Sequence, residues 1–573
     1  MMRPQYNFTY STPSIKQKEK KDNIFLFYQF FIHKNRNRHR EIQHTLRINV
    51  NNNLIDKIYM LNERIYTAEE MGIPAEKLNK IKQINIGKRL RFSDIFDFVE
   101  TEKINGYCIF ANADIFFDTD LSKLYYTGIK DKPIIYSQLR FEYTSQNLKK
   151  CRLFGTNLKK YRSDSQDSWF IHSKQNIPKN KRKIFNFNFG IRGCDNKLPY
   201  LFKILGYEIR NEPFLIKTYH IHNTQIRDYD KNSPIIPGPY LHIAPFITKG
   251  NQKNESFELA NGEKRHYNFS YKDFWKNNDE IIKFSEPNKL ISEALKNNLK
   301  YDKSWNICSM NPLIMTLTVQ FVQLQQLEKA NTFMLNNLSQ QINQNIVKLK
   351  QQEGIQFQSQ KEFENFCVNN LEYMKNANIN LAFRHMDHGY YKVEKIQNEY
   401  IKLIKNINTK IIPYDALYIY NFLHETPWTR LLRGKKILIV APHVDKIKER
   451  VKSKIYDINL FPDCKFVFVD SPKTYSNHES NNIESNINVL MDRINNIKDE
   501  FDVALLGCNG YSNIISGLLK NINKSSIVVG NLLYMWFGVY TKQDLTHRSD
   551  ILKINMNKDW VKSDFNAEGD FLF

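Results

Sequence analysis

After a polar, basic opening from Met1 to Lys21, apolar residues fall into blocks whose spacing switches between strand and helix. Ile24 to Ile32 is a near-continuous apolar run and predicts a strand. Arg40 to Asn51 sets Ile42, Leu46 and Val50 four residues apart, the stripe of one helix face. Ile55 to Leu61 predicts a second strand and Gln83 to Ile86 a short third. Ser93 is placed to cap a helix running to Glu100 that buries Ile95, Phe96 and Val99. Tyr107 to Ala111 then predicts a fully buried strand. A β-α-β-β-α-β succession of this kind implies a mostly parallel sheet.

The pattern changes downstream. Residues 134–245 alternate short strands with loops dense in polar and aromatic residues, and residues 250–310 are polar, as in a linker with local helices. Apolar residues from Leu313 to Leu349 predict one long amphipathic helix, whose stripe either packs inward or pairs with another copy as a coiled coil. From residue 378 strand-like runs return: Lys435 to Pro442, Lys465 to Asp470, Asp502 to Gly507 and Ser526 to Gly530. Each is closed by Pro, Asp or Gly and separated from the next by a helical stretch, a Rossmann-like pattern. The fold expected is α/β, with two Rossmann-like domains over 22–248 and 378–573 joined by a linker and helical connector over 249–377.

Bulk composition bounds the function. A chain of 573 residues is too long for one hydrophobic core. With 83 Lys and Arg against 60 Asp and Glu, the net charge of +23 suits a polyanionic partner. Lys, Asn and Ile are abundant throughout, however, and no Arg-rich helix or long basic tract stands out, so no nucleic acid partner is expected. Seven scattered cysteines without a CxxC pair argue against a disulfide framework or a Cys zinc site and point to a reducing compartment. No apolar run reaches the roughly 20 residues a bilayer demands. A cytoplasmic protein without a transmembrane segment, in the cytosol or at a membrane face, is the expectation.

Candidate chemistry begins at Asn112-Ala-Asp114, which interrupts apolar sequence at the carboxyl end of a buried strand. Ligands bind at that end of open α/β sheets. A carboxylate and an amide there can hold a divalent ion against a diphosphate, because hard cations take oxygen ligands and leave positions open for phosphate. Four clusters follow: Arg140 with Glu142; Gln166 and Asp167 beside Trp169; Asp195 and Asn196 after a Gly-flanked turn; and His220, His222 and Arg227. Each alone is explained by a turn, a cap or a surface position. In this order they supply a metal–diphosphate clamp, a group near an anomeric carbon, an acceptor-side base and closing ligands, as sugar transfer requires. In the second half, Gly507-Cys-Asn509-Gly510 follows a strand and opens a helix, where backbone N–H groups favour phosphate and Gly permits close approach.

FANADIFFD, SQDSWFI, FGIRGCDNKL, GYEIRNEP, IKTYHIHNTQIRDY and GPYL, in that order over residues 22–245, resemble a GT-A-type glycosyltransferase family of giant viruses and bacteria. The resemblance implies a nucleotide-diphospho-sugar donor, Mn2+ or Mg2+, and a glycan or glycoprotein acceptor. It makes Asp114 the main metal carboxylate, since Asn112 occupies the first position of the family's Asp-x-Asp motif, with His220 or His222 completing the shell. It makes Asp195 or Asp167 the base of an inverting reaction; a retaining one needs none. Residues 378–545, with AFRHMDHG, PWTRLLRGKKILIVAP, FDVALLGCNGY and GNLLYMWFG, resemble GT-D-type glycosyltransferases. There Arg384 and Asp387 match the family's Arg-x-x-Asp-Gly-Glu pattern, while Gly389 replaces its Glu. The second domain then either transfers another sugar or positions the acceptor. The alternative reading is a non-catalytic nucleotide-sugar or glycan-binding protein descended from such enzymes.

Overall fold

The computed structural model describes residues 22–144, 146–154, 164–224, 226, 234–238, 240–241, 243, 245, 256–258, 264–266, 287–300, 303–327, 332–383, 390–406, 409–419, 426–472, 474 and 482–563. The chain is mixed α/β and groups into two compact units, divided in sequence between Phe274 and Trp275.

In the first unit, β1 (Asn23–Tyr28), α1 (Arg36–Asn51), β2 (Lys57–Asn62), α2 (Ala68–Met71), β3 (Ile81–Asn85), α3 (Phe92–Thr101) and β4 (Gly106–Ala111) follow the expected order. β5 (Ile115–Phe117), β6 (Ile134–Leu139), β7 (Phe141–Glu142), β8 (Arg152–Leu153), β9 (Gln166–His172), α4 (Cys194–Ile204), β10 (Glu208–Arg210) and β11 (Thr218–His220) come next. Seven strands form one sheet in the order β10-β6-β9-β4-β1-β2-β3. All neighbours in it are parallel except β9, which runs antiparallel to β4 and β6. A smaller sheet has the order β5-β11-β7-β8, and β12 (Ser256–Glu258) pairs antiparallel with β13 (Lys264–His266).

Alternation along β4 divides the core. Tyr107, Ile109 and Ala111 join Ile42, Leu46 and Val50 of α1 in one cluster. Phe110, on the opposite face, packs edge-on against Phe96 of α3.

Several expected boundaries shift, three of them for a visible reason. β1 stops at Tyr28 rather than Ile32, because Phe30 leaves the ladder: its N–H donates to Asn62 Oδ1 at 2.9 Å while its ring is fully buried. Ser93 lies inside α3, not at its cap; Asp94 Oδ2 instead accepts from the Arg91 N–H at 3.0 Å. α1 begins four residues before Arg40, where the Asn35 side chain accepts from the Arg38 N–H at 3.0 Å, an Asn N-cap.

The second unit holds a seven-stranded sheet, parallel at every pairing: β14 (Asn306–Ser309), β15 (Ile379–Ala382), β16 (Lys410–Pro413), β17 (Lys436–Ala441), β18 (Lys465–Asp470), β19 (Val503–Leu506) and β20 (Ser525–Val528), in the order β16-β15-β14-β20-β19-β17-β18. The four strands expected from Lys435 onward are β17 to β20. β14 lies inside the stretch expected as connector, yet it bonds on both sides within this sheet.

The single helix expected over Leu313–Leu349 is two, Pro312–Leu327 and Thr332–Glu353. The stripe skips a turn between Leu327 and Met334, which removes the apolar reason to continue. The pair folds back on itself: Gln320 meets Gln341 at 3.4 Å and Asn345 at 3.0 Å. Leu313, Leu317, Phe321, Ile342 and Leu349 are buried in the unit's own core with Leu438, Val440, Ala504 and Leu506. That is the inward packing expected as one use of the stripe.

No described helix is long and apolar enough to cross a membrane.

Candidate functional site

The carboxyl ends of β4 and β6 flank the amino end of antiparallel β9, with Ala111 opposite Ser168 and Leu139 opposite Gln166. That single inversion gathers Asn112, Arg140 and Asp167 from distant parts of the chain. Asn112 Nδ2 donates to Asp167 Oδ1 at 2.9 Å. Arg140 pairs with the other Asp167 oxygen, and it donates to Ser165 Oγ at 3.0 Å and to Glu142 Oε1 at 3.0 Å. Gln166 is fully buried and donates to the Ile243 carbonyl at 3.3 Å.

The small sheet builds the second half of the site. His220 lies opposite Ile115 on one side and Glu142 on the other. Its Nε2 is 3.1 Å from Asp114 Oδ2 and its Nδ1 is 3.1 Å from Glu142 Oε2. Burial favours the neutral ring, but Asp114 and Glu142 reverse this and push His220 up to about 9. With a carboxylate at each nitrogen, the ring is an imidazolium near neutral pH. Asp114 is buried, which opposes its charge, yet His220 and Arg38 hold it well below the ordinary carboxylate range. An ion network thus runs from Arg38 through Asp114, His220, Glu142 and Arg140 to Asp167 and Asn112.

Ligand atoms of Asp114, His220 and His222 lie within 4.8 Å of one another. Whether they suit a divalent cation can be judged atom by atom. Asp114 Oδ1 is buried and has no hydrogen-bond partner, an arrangement that costs energy unless something occupies it. His222 Nε2 is 2.8 Å from the Ile226 carbonyl, which can only accept, so the ring carries its proton on Nε2 and its lone pair on Nδ1. Burial, with the Arg38 charge nearby, lowers the His222 pKa and keeps the ring neutral, as a metal ligand must be. His220 would have to release its Nε2 proton to join them. With an open Asp114 Oδ1 and a neutral His222 ring, the donor set fits a cation.

Asp195 occupies the first turn of α4, with Asn196 Nδ2 at 3.4 Å from its Oδ1. Burial, then the charge of Asp167, push its carboxyl up to about 7.

Arg227, Arg384 and Asp387 lie outside the described residues. Gly507 and Gly510 follow β19 as expected, but protein packs against both. A Cβ on Gly507 would meet the Gly530 carbonyl oxygen at 3.0 Å, and one on Gly510 would meet Ile355 Cγ1 at 2.7 Å. Asn509 takes the left-handed backbone between them, at φ 49°. Close packing is by itself a reason for glycine at both positions. Arg38 and Glu41 were missed by sequence reasoning, since the turn that carries Arg38 precedes the apolar stripe of α1.

No protein-family model matches the chain, and no curated protein matches it. Among solved structures it is similar to a glycosyltransferase (DUF1792) from Streptococcus sanguinis, at 11% identity and a TM-score of 0.26, over 43% of this chain and 82% of that one. It is also similar to GalNAc-T7 with UDP, GalNAc and Mn2+, at 12% identity and a TM-score of 0.25, over 38% of this chain and 47% of that one. Superpositions this loose say nothing about reaction or ligand.

Proposed function

We propose that the first unit is a glycosyltransferase that uses a nucleotide-diphosphate sugar and a divalent cation, Mn2+ or Mg2+, held by Asp114, His222 and deprotonated His220. The observation that carries this reading is that ligand atoms of those three residues lie within 4.8 Å of one another while Asp114 Oδ1 is buried and unpartnered. The cation would neutralise diphosphate charge as the sugar leaves. Arg140 carries positive charge beside the same site, with Asp167 and Glu142 holding it in place. Asp195, at about 7, is matched to accept a proton from an acceptor hydroxyl near neutral pH, the role of a base in an inverting reaction. The second unit, with its parallel sheet, transfers a further sugar or positions the acceptor.

Asp114→Ala is expected to abolish both sugar transfer and donor hydrolysis across a screen of nucleotide sugars with Mn2+ present. Full activity in that variant removes the assignment. A second reading, a binding protein without turnover, is favoured by one observation: the Asn112 amide is committed to Asp167 and adds no carboxylate to the cation cluster. Calorimetric donor binding by wild type without any turnover selects that reading.

A further inference from the structure

One face of α1 carries a polar row beside its apolar stripe, and every member of that row bonds to the chain that bears the cation cluster or to the row itself. Asn49 Nδ2 donates to the Ile115 carbonyl at 2.9 Å, and Asn49 Oδ1 accepts from the Phe117 N–H at 3.2 Å. Asn52, just past the helix end, donates to the Phe117 carbonyl at 3.0 Å. Thr45 Oγ1 bonds back to the Glu41 carbonyl at 3.1 Å. Arg38 pairs with Asp114 Oδ2 and donates to the Ile221 carbonyl at 2.6 Å, between His220 and His222. Glu41 accepts from Arg38 at 2.9 Å and takes both the N–H and the hydroxyl of Thr224, at 2.8 and 3.0 Å.

We propose that Arg38 and Glu41 are positioning residues for the cation site, a latch on α1 that fixes its three ligands at once. This rests on the cation reading above. Arg38 engages Oδ2 and so leaves Oδ1 as the Asp114 oxygen for a cation. Its hold on the Ile221 carbonyl, together with the Ile221 N–H bond to the Asp114 carbonyl at 3.0 Å, locks the two ligand segments in register. Glu41 ties down Thr224, so the chain leaving His222 is fixed on its far side. Arg38 and Glu41 are both nearly buried, at 9% and 11% side-chain exposure, so water cannot easily take their place. Two carboxylates, Asp114 and Glu41, offset the Arg38 charge, which reduces its repulsion toward an incoming cation. Groups that hold metal ligands from behind typically contribute about 10–100-fold to affinity.

The test is Mn2+ affinity of the full chain, read without donor from the electron paramagnetic resonance signal of free Mn2+. Wild type is expected to bind saturably and Asp114→Ala not to. Glu41→Ala should weaken Mn2+ by about tenfold, and Glu41→Gln, which keeps one acceptor oxygen for Thr224 but turns an amide N–H toward another donor, should recover only part of the loss. Thr224→Val removes the hydroxyl bond to the Glu41 carboxylate at the far end of the latch, and a loss of about threefold to tenfold is expected even if Glu41→Ala fails to fold. Wild-type Mn2+ affinity in both Glu41→Ala and Thr224→Val, with binding lost in Asp114→Ala, overturns the latch and spares the cation site. Absence of saturable Mn2+ binding in wild type overturns the cation site and the latch together.

Discussion

Glu212 shows what one buried carboxyl does to the pH response of the first unit. It is 5% exposed and accepts from the Tyr136 hydroxyl at 3.2 Å, and burial pushes it up from its ordinary value of 4.5 to about 7 despite Arg210 nearby. Between those values the folded chain keeps the proton while the unfolded chain has released it. The folded state therefore binds more protons there, and stability falls as pH rises from about 4.5 to about 7. Glu212→Gln keeps an oxygen for Tyr136 and has nothing to titrate. Its denaturant midpoint should lose part of that decline, the raised Asp195 carboxyl keeping its own share, and an unchanged slope in the variant assigns the decline to other groups. At this scale the sequence revealed the middle of the ion network but not its Arg38 end. Asp114, His220, Asp167 and Arg140 stand out because polar residues at strand ends are conspicuous. Arg38 does not, because its partners lie 76 and 183 positions away.

Elements were easier to read where one physical pattern dominated. The strand expected from Lys435 to Pro442 is buried on both faces, so its apolar run is unbroken and its observed span, Lys436–Ala441, differs by one residue at each end. Expectation failed where tertiary packing decided. The Leu313–Leu349 helix was expected to run straight, and it divides where its stripe lapses. Gly517 illustrates such packing within an element. It lies in the helix Ser512–Asn521, where replacement by Ala ordinarily gains about 0.5–1 kcal/mol. Here a Cβ would overlap the root of the Tyr373 ring, on the neighbouring helix Gln360–Lys375. Overpacking costs about 1–3 kcal/mol and should win. Gly517→Ala is thus expected to destabilise, whereas in a Tyr373→Ala background the same change should be neutral or stabilising. Additive effects in that double-mutant cycle, measured by denaturant unfolding, would exclude the overlap.

At the scale of the whole molecule, each unit has its own core: Leu26 is fully buried in a cluster of the first, and Leu438 in a cluster of the second. The two clusters share no residue. Chains with separate cores commonly depart from two-state unfolding. Leu→Ala at fully buried sites costs about 2–5 kcal/mol, enough to displace a calorimetric transition clearly. Leu26→Ala should lower one transition and Leu438→Ala the other. A cation that binds only the folded first unit adds stability as RT ln(1 + [L]/Kd), so Mn2+ at about 100 times its Kd should raise the transition sensitive to Leu26→Ala by the equivalent of about 2.7 kcal/mol. The transition sensitive to Leu438→Ala should stay where it is. If both substitutions moved a single shared transition, the cores would unfold together and the cation would stabilise the whole chain. If Mn2+ raised only the transition sensitive to Leu438→Ala, the cation site would belong to the second unit, and Asp114, His220 and His222 would need another explanation.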